Sequence, residues 1–110
     1  MRSSVHDILP PNVRKSLKKL GSDIAIARKK RQITCSMMAE RIGVSEGTYL
    51  RVEEGNPTVS LGIYAMTFFV LGFGNIFGHI IDSRNDEQGL ILDEERLPQR
   101  VRVKKGPSKL

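Results

Sequence analysis

Cys35-Ser-Met-Met-Ala-Glu-Arg-Ile-Gly-Val-Ser-Glu-Gly-Thr-Tyr-Leu-Arg-Val-Glu-Glu54 is the stretch on which the fold turns. Met38, Ala39 and Ile42 share one side of a helix with Met37 at its edge, while Ser36, Glu40 and Arg41 face the other way. Thr34 can cap that helix with its hydroxyl, and Gly43 can end it in a left-handed backbone. Ser45 caps a second helix, whose Tyr49 and Val52 turn inward. Ala39 keeps the crossing close, and Val44 and Ile42 fill the space beneath the turn. Two short helices at this spacing are the sequence form of a helix-turn-helix, in which the second helix is shaped to enter a DNA major groove.

The flanks supply further helices. Asn12 can cap a helix starting near Val13, with Val13, Leu17 and Leu20 at helical spacing. Gly21-Ser22-Asp23 weakens it, and Ile24, Ala25 and Ala27 lead on to Arg31, so one long helix or two joined near Gly21 are both consistent. Gly55-Asn56-Pro57 stops the helix-turn-helix. Thr58 or Ser60 opens a fourth helix that offers Ile63, Met66, Thr67 and Val70 to the core and ends at Gly72. A short fifth segment, Asn75–Ile81, carries Ile76, Phe77, Ile80 and Ile81. Past Asp82 the chain changes character: Ser83–Gln88 reads as a loop, Pro98 as an interruption of any helix, and Val101-Arg-Val103 alternates as an exposed strand does. The expectation is an all-α, five-helix domain over residues 12–82, after a flexible N-terminus (1–11) and before a C-terminal extension (83–110) with a short strand and a basic tail.

Composition narrows the function. With 110 residues the chain holds one domain's core, and 5% aromatic residues make that core mainly aliphatic. The longest apolar run, near Ile63–Leu71, is too short to span a bilayer, and the N-terminus lacks a signal-peptide core, so a cytoplasmic protein without membrane contact is expected. Cys35 is the single cysteine, which excludes an internal disulfide. The net charge of +6 is unevenly spread. Arg14, Lys15, Lys18, Lys19, Arg28, Lys29, Lys30 and Arg31 crowd the first third, and Arg96, Arg100, Arg102, Lys104, Lys105 and Lys109 the end, as suits a polyanionic partner.

On these residues, Leu20–Gly72 resembles the DNA-binding domain of Xre-type (Cro-like) repressors, a lambda-repressor-like bundle of about five helices. Gly43-Val-Ser-Glu-Gly-Thr-Tyr-Leu-Arg-Val-Glu-Glu-Gly-Asn-Pro-Thr-Val-Ser60, with Leu71-Gly72 and the later Glu95-Arg-Leu-Pro-Gln-Arg-Val-Arg102, is similar to one branch of them. That branch is the HipB-like antitoxins, encoded beside HipA-type serine/threonine kinase toxins. The resemblance implies a transcriptional repressor that reads double-stranded DNA at a palindromic operator, neutralises such a kinase and represses its own operon. Ser45, Glu46, Gly47 and Thr48 would open the recognition helix, with Leu50 and Arg51 one turn on. Arg51 can fork onto phosphate or guanine, and Thr34, Ser36 and Thr48 are phosphate candidates. Its bland reading is an ion pair with Glu54.

A homodimer is expected, because one recognition helix reads only a few base pairs. Candidate dimer or partner residues are Ile76, Phe77, Ile80 and Ile81 together with Leu90, Leu92, Leu97 and Val101. Three residues depart from the family pattern. Cys35 stands where many relatives carry a DNA-anchoring glutamine, Glu46 brings negative charge, and Gly47 brings no side chain. They motivate the alternative of a protein-interaction module on the same fold. No catalytic, metal or cofactor constellation is predicted: His6 and His79 lack metal spacing, Gly72-Phe-Gly74 lacks a phosphate-loop lysine, and Asp93, Glu94 and Glu95 are adjacent on a solvated segment.

Overall fold

A computed structural model describes residues 8–100, with side chains through Arg96. It is all-helical, with five α-helices and no strand among the described residues. The chain divides into two compact units, one ending at Ile76 and one starting at Phe77. The first holds α1 (Pro11–Lys30), α2 (Cys35–Ile42), α3 (Glu46–Glu53) and α4 (Leu61–Leu71).

Helix α1 runs unbroken for 20 residues. It starts one residue before the expected cap: Pro11 occupies the first turn, where its fixed φ suits a helix and its missing N–H loses nothing, and Asn12 lies inside. Gly21 does not kink it. A Cβ on Gly21 would lie 2.6 Å from the Gly55 nitrogen, and one on Gly55, at φ 70°, would lie 2.8 Å from the Lys18 nitrogen. The two glycines let the backbone of α1 press against the end of α3. Beyond α1 the chain reverses through Gln32, whose φ of 57° is left-handed without being glycine.

The helix-turn-helix forms as its residues dictate. Thr34 accepts the Met37 amide at 3.0 Å, and Ser45 accepts the Thr48 amide at 3.1 Å. Gly43 takes φ 91°, and the amides of Gly43 and Val44 both reach the Ala39 carbonyl, at 2.8 and 3.0 Å. Met38, Ala39, Tyr49 and Val52 are buried, whereas Ile42 and Val44 are only half-buried. Each large apolar side chain so enclosed contributes about 1.5–3 kcal/mol.

Helix α4 corrects the expected core face. Ser60 caps it, and Tyr64, Thr67, Phe68 and Leu71 point inward at i, i+3, i+4 and i+7. Of the residues expected there, only Thr67 is buried; Ile63 and Val70 are half-buried and Met66 is exposed. The helix is apolar all round, so periodicity alone could not choose its inward face. The Thr67 hydroxyl donates to the Ile63 carbonyl at 2.9 Å, which satisfies it without a partner from another helix.

The fifth segment is not a full helix but a 3-10 turn, Ile76–His79. In the second unit Asp82 caps a further 3-10 turn, Ser83–Asn85, so Ser83–Gln88 is more ordered than a loop. The Asp86 carboxylate then accepts the Gly89 amide at 3.0 Å and its carbonyl the Leu90 amide at 2.9 Å, opening α5 (Glu87–Arg100). This helix continues through Pro98, contrary to expectation. The proline leaves the carbonyl one turn before it without an intrahelical donor, and only two residues of the helix follow it. The expected strand at Val101–Val103 lies outside the described residues. No helix among those described is long and apolar enough to cross a membrane.

Candidate nucleic-acid interface

The inward face of α3 is fixed by a polar cluster buried between α1, α2 and α3. Arg28, 9% exposed, donates its Nε to Glu53 Oε2 at 2.5 Å and its Nη2 to Oε1 at 3.3 Å. Its remaining Nη1 donates to the Ile33 carbonyl at 2.9 Å, in the turn before α2. Tyr49 donates its hydroxyl to the same carboxylate at 2.5 Å, and the Cys35 thiol lies 4.0 Å from it. The hydrogen bond to Glu53 raises the Arg28 pKa against the opposing effect of burial. Burial, and then the bond to Glu53, pushes the Tyr49 phenol well above its usual range. Burial likewise raises the Cys35 thiol, with the Glu53 charge adding to it. The cluster therefore holds one formal positive and one formal negative charge, each met by hydrogen bonds.

Its effect is positional. α3 is clamped at Glu53 to α1 and to the α1–α2 turn, and its Tyr49–Val52 side is locked into the core. Ser45, Glu46, Gly47, Leu50 and Arg51 are left exposed, with Thr48 half-buried. Their surface covers the first two turns of α3. The Thr48 oxygen accepts from Ser45 Oγ at 3.0 Å and from Arg51 Nη2 at 3.3 Å, leaving its own proton free to donate. Arg51 forms no ion pair with Glu54 among the described residues, so its other N–H groups face solvent. Glu46 sits in the first turn, where negative charge suits the helix dipole. Thr34 and Ser36 are exposed at the start of α2, although the Thr34 oxygen is engaged in capping.

The basic flank divides on folding. Arg28 is withdrawn into the cluster. Arg31 donates to the Ala27 carbonyl at 2.9 Å and lies 5.6 Å above the Phe73 ring, and Lys19 pairs with Asp23. Lys15, Lys18, Lys29 and Lys30 remain exposed and without ion pairs among the described residues. The roles of Arg28 and Glu53 were not anticipated from sequence. A signal existed: Arg28 is in phase with Gly21 and Ile24, the buried residues of α1, so it points inward and requires an acid.

Of the expected dimer or partner residues, Ile76, Ile80, Ile81, Leu90 and Leu92 are exposed and Phe77 is half-buried. The Leu97 side chain and Val101 lie outside what is described. Comparison with known protein families, with curated proteins and with solved structures finds no match to this chain.

Proposed function

We propose that the chain is a sequence-specific, double-stranded-DNA-binding transcriptional repressor with a lambda-repressor-like domain, acting on a palindromic operator as a homodimer. The observation that carries this reading is α3 itself. Its inner side is clamped by the Arg28–Glu53–Tyr49 cluster, while Leu50 and Arg51, with the half-buried Thr48, line the outer side of a helix capped at Ser45. A reading helix needs that combination of rigid seating and a free polar surface. The exposed lysines of α1 supply charge for the phosphate backbone.

The test is fluorescence anisotropy on a duplex from the promoter upstream of the gene, with a scrambled duplex as competitor. The expected result is preferential binding that weakens steeply with salt. Arg51→Ala should reduce affinity about tenfold, as losing a forked contact worth about 1–3 kcal/mol requires, with an unchanged melting temperature. Absence of any salt-dependent binding refutes the proposal. The second reading is an interaction module, favoured by Glu46 on the exposed face of α3. On the resemblance to HipB-like antitoxins the partner would be a HipA-type kinase, and co-purification with a kinase encoded next door tests it.

A further inference from the structure

From Gly55 through Ile81 the sequence contains no Asp, Glu, Lys or Arg, in a chain where 27% of residues are charged. α4 lies inside this stretch and is the one described α-helix without a charged side chain. Its buried side is Tyr64, Thr67, Phe68 and Leu71. The opposite side carries Gly62, Ala65, Met66 and Phe69, again at i, i+3, i+4 and i+7, with Leu61 at the near end. Leu61 is 68% exposed, Phe69 65% and Met66 39%. The helix thus has two apolar faces and the first unit covers one of them.

We propose that this second face is a self-association surface, on which α4 of one copy packs antiparallel against α4 of another. Charge selects the occupant. The chain is strongly basic overall, and α1 presents exposed lysines, so most approaches of two copies set like charges together. Two α4 faces meet with none. Shape agrees. A Cβ on Gly62 would find nothing nearer than the Ser60 hydroxyl at 3.9 Å, so Gly62 leaves open space on the face from which Phe69 protrudes. Gly62 and Phe69 are two turns apart, about 10 Å along the axis. A two-fold axis near Met66 then seats each Phe69 over Gly62 of the partner subunit, as an isologous contact requires. Phe69 is backed by Gly74, where a Cβ would come within 3.2 Å of its ring.

The area sets the strength. Leu61, Met66 and Phe69 offer about 300–400 Å² per copy, given the roughly 150–250 Å² that an aromatic side chain can bury. A pair therefore buries about 600–800 Å², below the roughly 1,200–2,000 Å² of stable interfaces. The association is weak and reversible, and two half-sites on one duplex would strengthen it by raising local concentration. It is nonetheless testable without DNA, so its failure and that of the DNA-binding reading are separate.

Sedimentation equilibrium of the full chain from about 10 µM to 1 mM should show monomer passing to dimer, in the range where small interfaces operate. Phe69→Glu and Met66→Glu should each shift the midpoint more than tenfold upward while the melting temperature and helical signal stay near wild type. Ile26→Glu, at an exposed apolar position on α1, should leave it unchanged. A wild-type chain monomeric throughout overturns the inference and assigns the stripe to a different partner. So does a dimer that Ile26→Glu dissolves and Phe69→Glu does not.

Discussion

Replacing Glu53 by Gln tests whether the buried cluster governs the seating of α3. The Arg28 side chain is 11% exposed and that of Glu53 13%, so loss of the carboxylate charge leaves a guanidinium largely out of water with no counter-charge. Breaking a buried pair on one side destabilises by about 3–5 kcal/mol, a large part of the 5–15 kcal/mol by which a small domain is held. For a unit of this size that corresponds to a melting temperature lower by roughly 15–30 °C. Arg28→Met should be about as damaging, because it strands the carboxylate and the Tyr49 hydroxyl bonded to it. The double variant Arg28→Met with Glu53→Met should recover most of the loss, since matched apolar replacement of a buried pair is near neutral. Urea denaturation followed by far-ultraviolet circular dichroism gives the three free energies and closes a double-mutant cycle. Single losses that merely add in the double variant would refute the reasoning, because the two residues would then act independently.

Three further outcomes follow from other parts of the fold. Gly21→Ala should destabilise by several kcal/mol, because its Cβ would meet the backbone of Glu53 and Gly55, while Gly47→Ala, with only Ser45 Oγ at 4.0 Å, should stabilise by up to about 1 kcal/mol; thermal melts compare them. Gln32→Gly should stabilise by about 1 kcal/mol by removing a left-handed non-glycine residue, and an unchanged midpoint would show that no strain resides there. Tyr49 and Tyr64 both have raised pKa values, from burial first, and are the two tyrosines of the chain. The folded state resists their ionisation, so their contribution is complete below the unfolded value near 10 and fades as pH rises beyond it. Absorbance at 295 nm should therefore rise together with loss of helix, and tyrosinate appearing in folded protein at pH 10 would contradict the burial.

The caps at Thr34 and Ser45, the left-handed end at Gly43 and the inward turn of Met38, Ala39, Tyr49 and Val52 were all readable in the sequence. Each rests on interactions within one helix or between neighbours joined by a three-residue turn, where periodicity and capping chemistry decide the outcome. The exposed residues of α3 were legible for the same reason, since an inward face defines its opposite. What remained open involved choices between distant segments. Only the packing of α1 against α3 turns Gly21 from a helix breaker into a contact glycine and converts Arg28 from a presumed surface charge into the partner of Glu53, 25 positions away. Only the tertiary arrangement picks Tyr64, Thr67, Phe68 and Leu71 as the inner face of α4, because a helix apolar on every side carries no internal preference. Local hydrogen bonding and pattern thus determined the helix-turn-helix, whereas burial between remote elements decided which of its flanking charges and apolar faces are free to meet another molecule.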